Sequence, residues 1–468
     1  MATQPIEQYK FKTPKIKKGE CVDFDAGKLL EGIFHAIRNF NILYREKVQI
    51  ISIASVGESG VLIDQFGKKI TPMAAWFDNR SQYVIDSLSE KDRQAICRIT
   101  GLPPHSHYSA SKIKWLVDNV VDSSKKYTWL CIPDFITYKL TQKIGTEFSI
   151  ASRTQVLDLT KREWSEKVKR IFKIENVDFP KIYNSGEIIG QLTPEVAVIL
   201  GLSREVFVTI AGHDHMVGSF SSEQKSDELL DSTGTTEGIL LLSKVLNKDI
   251  AGEKKGIAYG IYVNPEWYTT FTALPSVGSV IQWFSEEHKL TNKEFMKLLK
   301  EVYTDYLHGK IKKDQVNFVI PHFSGSGSPV KSNKTKGLWY GLTNQTTIKQ
   351  LVFGLFLGLT FELKHAIETL TNDRVSTIKL IGPATGDPLW IQLRADLLNT
   401  RVIALNTPEA VSRGANIIAN STNYYRTESN IPEEVYEPQE NVDLVPYLLS
   451  VYENEYKPLF EAKVNFEL

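Results

Sequence analysis

Cysteine is scarce in this chain: of 468 residues only Cys21, Cys97 and Cys131 are cysteines, and no Cys-x-x-Cys pair occurs among them. That argues against a disulfide framework or a cysteine metal cage and fits buried thiols in a reducing compartment. An excess of one charge is also lacking. Lys and Arg number 55, as do Asp and Glu, so there is no basic field for a nucleic-acid backbone or an anionic membrane surface. The one basic run, Lys10, Lys12, Lys15, Lys17 and Lys18, alternates with apolar residues and Pro14 and reads as a solvated strand edge. The longest apolar run, residues 351–361, is shorter than the roughly 20 residues of a membrane span, and residues 1–8 contain no signal-type apolar core. A cytoplasmic protein is expected. No Gly-x4-Gly-Lys-Ser/Thr, no Gly-x-Gly-x2-Gly after a strand and no Gly-x-Ser-x-Gly is present, so P-loop, dinucleotide and nucleophile-elbow chemistry lack their marks.

What is present is an ordinary globular composition, 42% hydrophobic and 24% charged. Chains beyond about 250–300 residues split their core, which predicts two domains with a ligand cleft between them. Apolar β-branched runs at residues 48–56, 206–211 and 377–381 alternate with helical periodicity at 29–40, 112–121 and 350–370, an α/β pattern. Two hairpins are expected, one joining residues 51–56 to 60–63 through Gly57-Glu58-Ser59, the other joining 229–232 to 238–242 through Thr233-Gly234-Thr235-Thr236. Mixed sheets flanked by helices follow. A domain boundary is placed near residue 217, giving domains 1–217 and 218–468.

Several constellations could carry chemistry. The run 206–211 ends at Gly212 and presents Asp214 beyond the carboxyl end of a buried strand, where ligands of α/β sheets sit. Asp214 reads either as a general base toward a hydroxyl or as a cap of the helix that follows. His213-x-His215 has metal-like spacing, but the other histidines stand in no ligand spacing to it, so packing or hydrogen bonding outweighs zinc chemistry. Thr233-Gly234-Thr235-Thr236, Ser324-Gly325-Ser326-Gly327-Ser328-Pro329 and Gly382-Pro383-Ala384-Thr385-Gly386 are small-residue turns able to surround phosphate or simply to turn the chain. Three such turns suggest a nucleotide. Trp76-Phe77-Asp78-Asn79-Arg80 offers an aromatic face, a carboxylate and a guanidinium to a polyhydroxylated ligand, or else a buried Trp beside an internal Asp–Arg pair.

The order of these motifs from about residue 20 to residue 420 resembles the FGGY carbohydrate kinase family. Gly57-Glu58-Ser59-Gly60 with Trp76-x-Asp78-x-Arg80 looks like its sugar-facing hairpin, and Ser109-Ala110-Ser111-Lys112-Ile113-Lys114-Trp115-Leu116 fits its first signature. Residues 337–342 open the second, with Gly354 where Ala or Ser is usual, and residues 134–141 and 149–154 resemble the segments between. The resemblance implies two actin-like (ribonuclease H-like) domains and an ATP- and Mg²⁺-dependent kinase of a small sugar, polyol or sugar acid, with a homodimer as a family-level expectation. It implies Asp214 as general base and Glu58, Trp76, Asp78, Arg80, His107 and His215 as sugar contacts. Gly234, Thr235, Thr236, Gly278 and Gln282 would face the phosphates, and Gly382, Ala384, Asp387 and Asn416 the adenosine, with Pro383 in place of a usual glycine. His107, His215 and Gly57 differ from the glycerol-kinase branch, while Asp78-Asn79-Arg80-Ser81 is similar to gluconate kinases, which turns the expectation toward a sugar acid or ketose.

The family's opening strand and Asp-x-Gly-Thr-Thr/Ser hairpin have no counterpart. Asp25-Ala26-Gly27 instead begins a helix, and residues 1–14 resemble the family's third segment. The expectation is an exposed strand edge and strip of core, from a start upstream of Met1 or, alternatively, a catalytically impaired sugar-binding relative.

Overall fold

The structure, a computed structural model, describes residues 6–246, 255–371, 373–407, 409–421, 432–439 and 443–467, so residues 1–5 of the N-terminal segment lie outside the described residues. The β-branched run near residue 50 becomes the strand Ile50–Ser55, which pairs in parallel with Phe207–His213, itself antiparallel to Ile188–Gln191. A parallel neighbour needs a crossover, and the long stretch between the two strands supplies it with helices that cover the sheet. Asp25 caps the helix Ala26–Asn39 by accepting from the Lys28 N–H, as expected. Lys15, Lys17 and Lys18 of the basic run lie in the exposed strand Lys15–Lys18, paired with Cys21–Phe24, whereas Lys10 and Lys12 precede it outside any strand.

One expected hairpin does not form. Gly60–Ile63 pairs antiparallel with Tyr127–Cys131 and belongs to a different sheet from Ile50–Ser55. At Gly60 a Cβ would come within 2.3 Å of the Leu130 carbonyl oxygen and 2.6 Å of the Trp129 ring, so the bare glycine is what lets the second sheet approach. The Gly57-Glu58-Ser59 link therefore bridges two sheets, and Glu58 stands where they diverge.

The other expected hairpin forms. Glu228–Thr233 and Glu237–Ser243 pair antiparallel at the heart of a seven-stranded mixed sheet whose order runs Ala258–Ile261, Tyr268–Leu274, Glu237–Ser243, Glu228–Thr233, Thr377–Ile381, Arg401–Leu405, Glu433–Tyr436. The helix Ile348–Leu370 has the length and apolarity of a membrane span, but it is mostly buried in the protein's own core, with Phe353, Phe356 and Phe361 fully enclosed. Burying such side chains contributes roughly 1.5–3 kcal/mol each. The boundary expected near residue 217 falls inside the continuous helix Asp214–Ser221, and the seven-stranded sheet begins at Glu228.

Among the described residues no strand pairs with the outer edge of Ile50–Ser55. A trench of about 1110 Å³ runs along that edge, walled by Phe24, Ile33, Ile132 and Ile136, with Asp214 among its lining residues. An open β edge over apolar side chains is the consequence expected of a sheet that lacks a neighbour here.

Candidate active site

Asp214 is the first residue of the helix Asp214–Ser221, directly after the buried strand Phe207–His213. Gly212 sits at a register shift near the end of that strand with φ +133°, and a side chain there would strike Ser149 Oγ at 2.5 Å, so glycine alone fits. The Ser149 hydroxyl in turn accepts from the His213 N–H at 2.8 Å and donates to Glu147 Oε2 at 2.5 Å. This pins the backbone immediately before Asp214. The Asp214 carboxylate accepts from the His215 N–H at 2.7 Å and remains partly exposed to the cleft.

On one side of Asp214 lies a polar cluster. Arg153 Nε bonds Glu58 Oε1 at 2.8 Å, and His213 Nε2 stands 3.6 Å from the same oxygen. Burial works against the Glu58 carboxylate, but Arg153 and His213 outweigh it and hold its pKa well below the ordinary value. The Arg153 guanidinium also lies over the Tyr108 ring at 5.1 Å. Trp76 and His107 meet with ring centroids 4.9 Å apart, and His107 packs on His105 at 4.8 Å. Burial, with the charge of Lys331 close by, drives His105 down to about 3 and His107 to about 4, so both rings are neutral near pH 7.

Lys112 holds this wall together. Its Nζ donates to the carbonyls of Trp76 at 3.1 Å, His107 at 2.7 Å and Ser106. Burial lowers its pKa to about 7, while Glu58 and Asp78 favour the charged form. Asp78 and Arg80, expected as sugar contacts, turn their charges on each other. Arg80 Nε and Nη2 bond the two Asp78 oxygens at 2.7 and 2.9 Å, Nη2 also reaches Asp23 at 2.7 Å, and Asp78 accepts from the Val22 N–H. With both side chains almost wholly enclosed, the pair satisfies itself and fixes the segment that presents Trp76.

On the other side of Asp214, a cavity of about 190 Å³ is lined by Asp214, His215, Ser232, Gly238, Phe271 and Ile381 among others. Two of its lining residues, Ser232 and Ile381, directly precede the small-residue turns at Thr233 and Gly382. The Gly278 N–H donates to the Gly234 carbonyl at 3.2 Å, and a Cβ at Gly278 would lie 2.2 Å from that oxygen. Ala384 N–H donates to Thr233 Oγ1 at 3.0 Å. Gly234, Thr235, Thr236, Gly278, Gly382 and Ala384 are thus brought together, and the start of the helix Gly278–Glu287 is tied to the turn, the Gly278 and Ser279 N–H groups donating to the Gly234 and Thr235 carbonyls. Beneath the turn, Glu237 is held by Arg394, whose Nη1 also faces Asp231 at 3.5 Å in a fully buried group.

Three expected nucleotide contacts are engaged elsewhere. Gln282 donates to Glu286 one turn on at 2.8 Å, Asp387 caps the helix Pro388–Leu398, and Asn416 accepts from Asn420 at 3.1 Å. The helix Ala410–Asn420 that carries Asn416 packs against the Asp214 helix so closely that a Cβ at Gly414 would lie 2.0 Å from the Val217 carbonyl oxygen. Arg153, His105, Lys112 and His213 complete the site without having been assigned to it. Arg153 and Lys112 both lie inside segments that the sequence pattern had marked, but only the fold shows that Arg153 joins Glu58 across 95 residues of chain.

A model of the N-terminal domain of the FGGY family of carbohydrate kinases matches residues 7–221, and one of its C-terminal domain matches residues 229–422. The chain is 25% identical over 427 residues to a glycerol kinase of Thermococcus onnurineus, covering 88% of this chain and 83% of that one. It is likewise 25% identical over 428 residues to a xylulose kinase of Bacillus subtilis, covering 87% and 84%. In fold it is similar to a gluconate kinase from Lactobacillus acidophilus, with TM-score 0.84 at 18% identity over 99% of this chain and 95% of that one. A Plasmodium falciparum glycerol kinase solved with ADP gives TM-score 0.82 at 19% identity over 96% and 92%. With both family domains matched in order along the two actin-like halves, the chain belongs to the FGGY family of carbohydrate kinases, which phosphorylate a sugar or polyol hydroxyl from ATP.

Proposed function

We propose that Asp214 is the general base of this kinase. It takes the proton from a substrate hydroxyl whose oxygen then attacks the γ-phosphoryl group of ATP, so the O–H bond breaks as the new O–P bond forms and ADP leaves. The observation that carries this reading is the position of Asp214 between two unlike surfaces. The Glu58, Arg153, Trp76 and His107 cluster lies on one side and, on the other, the cavity whose lining includes Ser232, the residue before the Thr233–Thr236 turn. Glu58 accepts sugar hydroxyls, Trp76 offers a face to sugar C–H groups, and Asp78 with Arg80 holds Trp76 in place. The Gly234 turn and the start of the Gly278 helix receive the phosphates.

Mg²⁺ in such a site rides on the phosphates and needs only one or two protein carboxylates. Among the described residues no three His, Cys, Asp or Glu side chains gather into a cage, so the ion would be held through the phosphates and not by Asp214, which serves as the base. When bound, the ion neutralises charge on the transferred group. We place the chain in the cytoplasm, on the ground that Cys97 and Cys131 are buried thiols outside any disulfide.

The substrate is a small sugar, polyol or sugar acid of the xylulose or gluconate type. Lys331, Lys112 and Arg153 surround His105 and His107 with positive charge, which favours the sugar-acid end of that range. Coupled ATP consumption with Mg²⁺ over glycerol, D-xylulose, L-fuculose and D-gluconate tests the reading. Turnover with at least one is expected, fastest with gluconate. Silence with all four and with related aldonic acids and ketoses would overturn it.

A further inference from the structure

His213 lies between the two functional carboxylates. Its Nδ1 stands 3.4 Å from Asp214 Oδ1 and its Nε2 stands 3.6 Å from Glu58 Oε1. The side chain is buried, and Nδ1 has no hydrogen-bond partner closer than this approach. Its backbone N–H is fixed by Ser149, and its ring stacks on that of His215 with centroids 5.7 Å apart. The atom the ring leaves unsatisfied, Nδ1, is the one beside Asp214, within reach of Oδ1 but not aligned with it.

We propose that His213 is a positioning residue for Asp214. Its Nδ1–H is offered to Asp214 Oδ1, which fixes the carboxylate and leaves Oδ2 to receive the proton of the substrate hydroxyl. Two donors then converge on Oδ1, since the His215 N–H already lies 2.7 Å from it, while Oδ2 is left free. A buried donor without a partner is costly, so a small rotation that aligns Nδ1–H with Oδ1 is favourable. A base held by a second group loses on the order of 10- to 100-fold when that group is removed. This inference rests on the kinase reading and on Asp214 as its base.

The test compares replacements that keep different parts of the imidazole. His213→Asn places an N–H near the position of Nδ1, His213→Gln places one near Nε2 on the Glu58 side, and His213→Phe keeps only the ring. Turnover is followed with whichever of glycerol, D-xylulose, L-fuculose and D-gluconate the unaltered chain phosphorylates fastest. The expected order is Asn within a few-fold of the unaltered enzyme, with Gln and Phe lowering kcat about 10- to 100-fold and the KM for ATP unchanged in all three. Asn no better than Gln overturns the proposal. If the Phe variant fails to fold, the comparison of Asn with Gln decides alone. Independently of turnover, ¹⁵N spectra of histidine-labelled protein should show a protonated His213 Nδ1 whose shift changes in Asp214→Asn. An unprotonated Nδ1 contradicts the proposal even if no substrate is found. Activity retained by Asp214→Asn would instead overturn the assignment of Asp214 as the base, on which this inference rests.

Discussion

Arg153 Nε lies 2.8 Å from Glu58 Oε1, an ion pair that joins the link between the two N-terminal sheets to the segment after the helix Phe148–Ser152. Because Arg153 and His213 outweigh burial, the folded-state pKa of Glu58 is below its unfolded value. The stabilisation is therefore fully present above the unfolded pKa near 4.5 and is lost as pH falls through the depressed value. Arg153→Met leaves a buried, uncompensated carboxylate. Chemical denaturation at pH 7 should show a loss of about 3–5 kcal/mol, with sugar KM raised. A change below about 1 kcal/mol would mean that the pair is solvated.

His105 and His107 predict the acid limb of stability. Burial and neighbouring positive charge hold them near 3 and 4, against 6.5 when unfolded. Between those values the unfolded chain binds protons that the folded chain refuses, so stability falls as pH drops below about 6.5. Melting curves from pH 7 to 4.5 should show Tm decreasing, and His107→Asn should flatten the slope. An equal slope in the variant counts against the assignment.

Lys112→Met removes the donor to the Trp76, Ser106 and His107 carbonyls. Each buried carbonyl left unsatisfied costs roughly 1–3 kcal/mol, and the loops bearing Trp76 and His107 lose their common tether. Expected are a lower Tm and a sugar KM raised about tenfold or more, with the KM for ATP unchanged. Loss of ATP affinity in step with sugar affinity would show general unfolding instead.

The trench along Ile50–Ser55 makes a prediction for hydrogen exchange. Amides of this strand bonded to Phe207–His213 should be protected, and those facing the trench should exchange far faster. Uniform protection along the strand would mean that its outer edge is covered in solution.

Much of this was legible from residues alone. Asp214 follows an apolar run and a glycine, a local pattern that names both the strand and its functional end, and the turn after Thr233 lies between two strands that pair as the spacing requires. The hairpin expected across Gly57-Glu58-Ser59 was not legible. Strand pairing is decided by which sheet each strand joins, and Ile50–Ser55 finds its partner more than 150 residues later. Periodicity carries no information about such distant contacts. Asp78 and Arg80 show the same limit from the other side, because side chains two residues apart fit a ligand pattern and an internal salt bridge equally well, and only Asp23 and Val22 decide for the bridge. The segment 109–116 marked Lys112, yet the three carbonyls it serves come from residues whose proximity is a product of folding.

The central claim is that Asp214 takes the substrate proton. Steady-state ATP consumption by Asp214→Asn, measured beside the unaltered chain with the best substrate of the panel, tests it most directly. Asn keeps the shape and cannot act as the base, so kcat should fall about 10²- to 10⁴-fold while Tm and ATP binding stay as they are. Turnover within a few-fold of the unaltered chain would contradict the account.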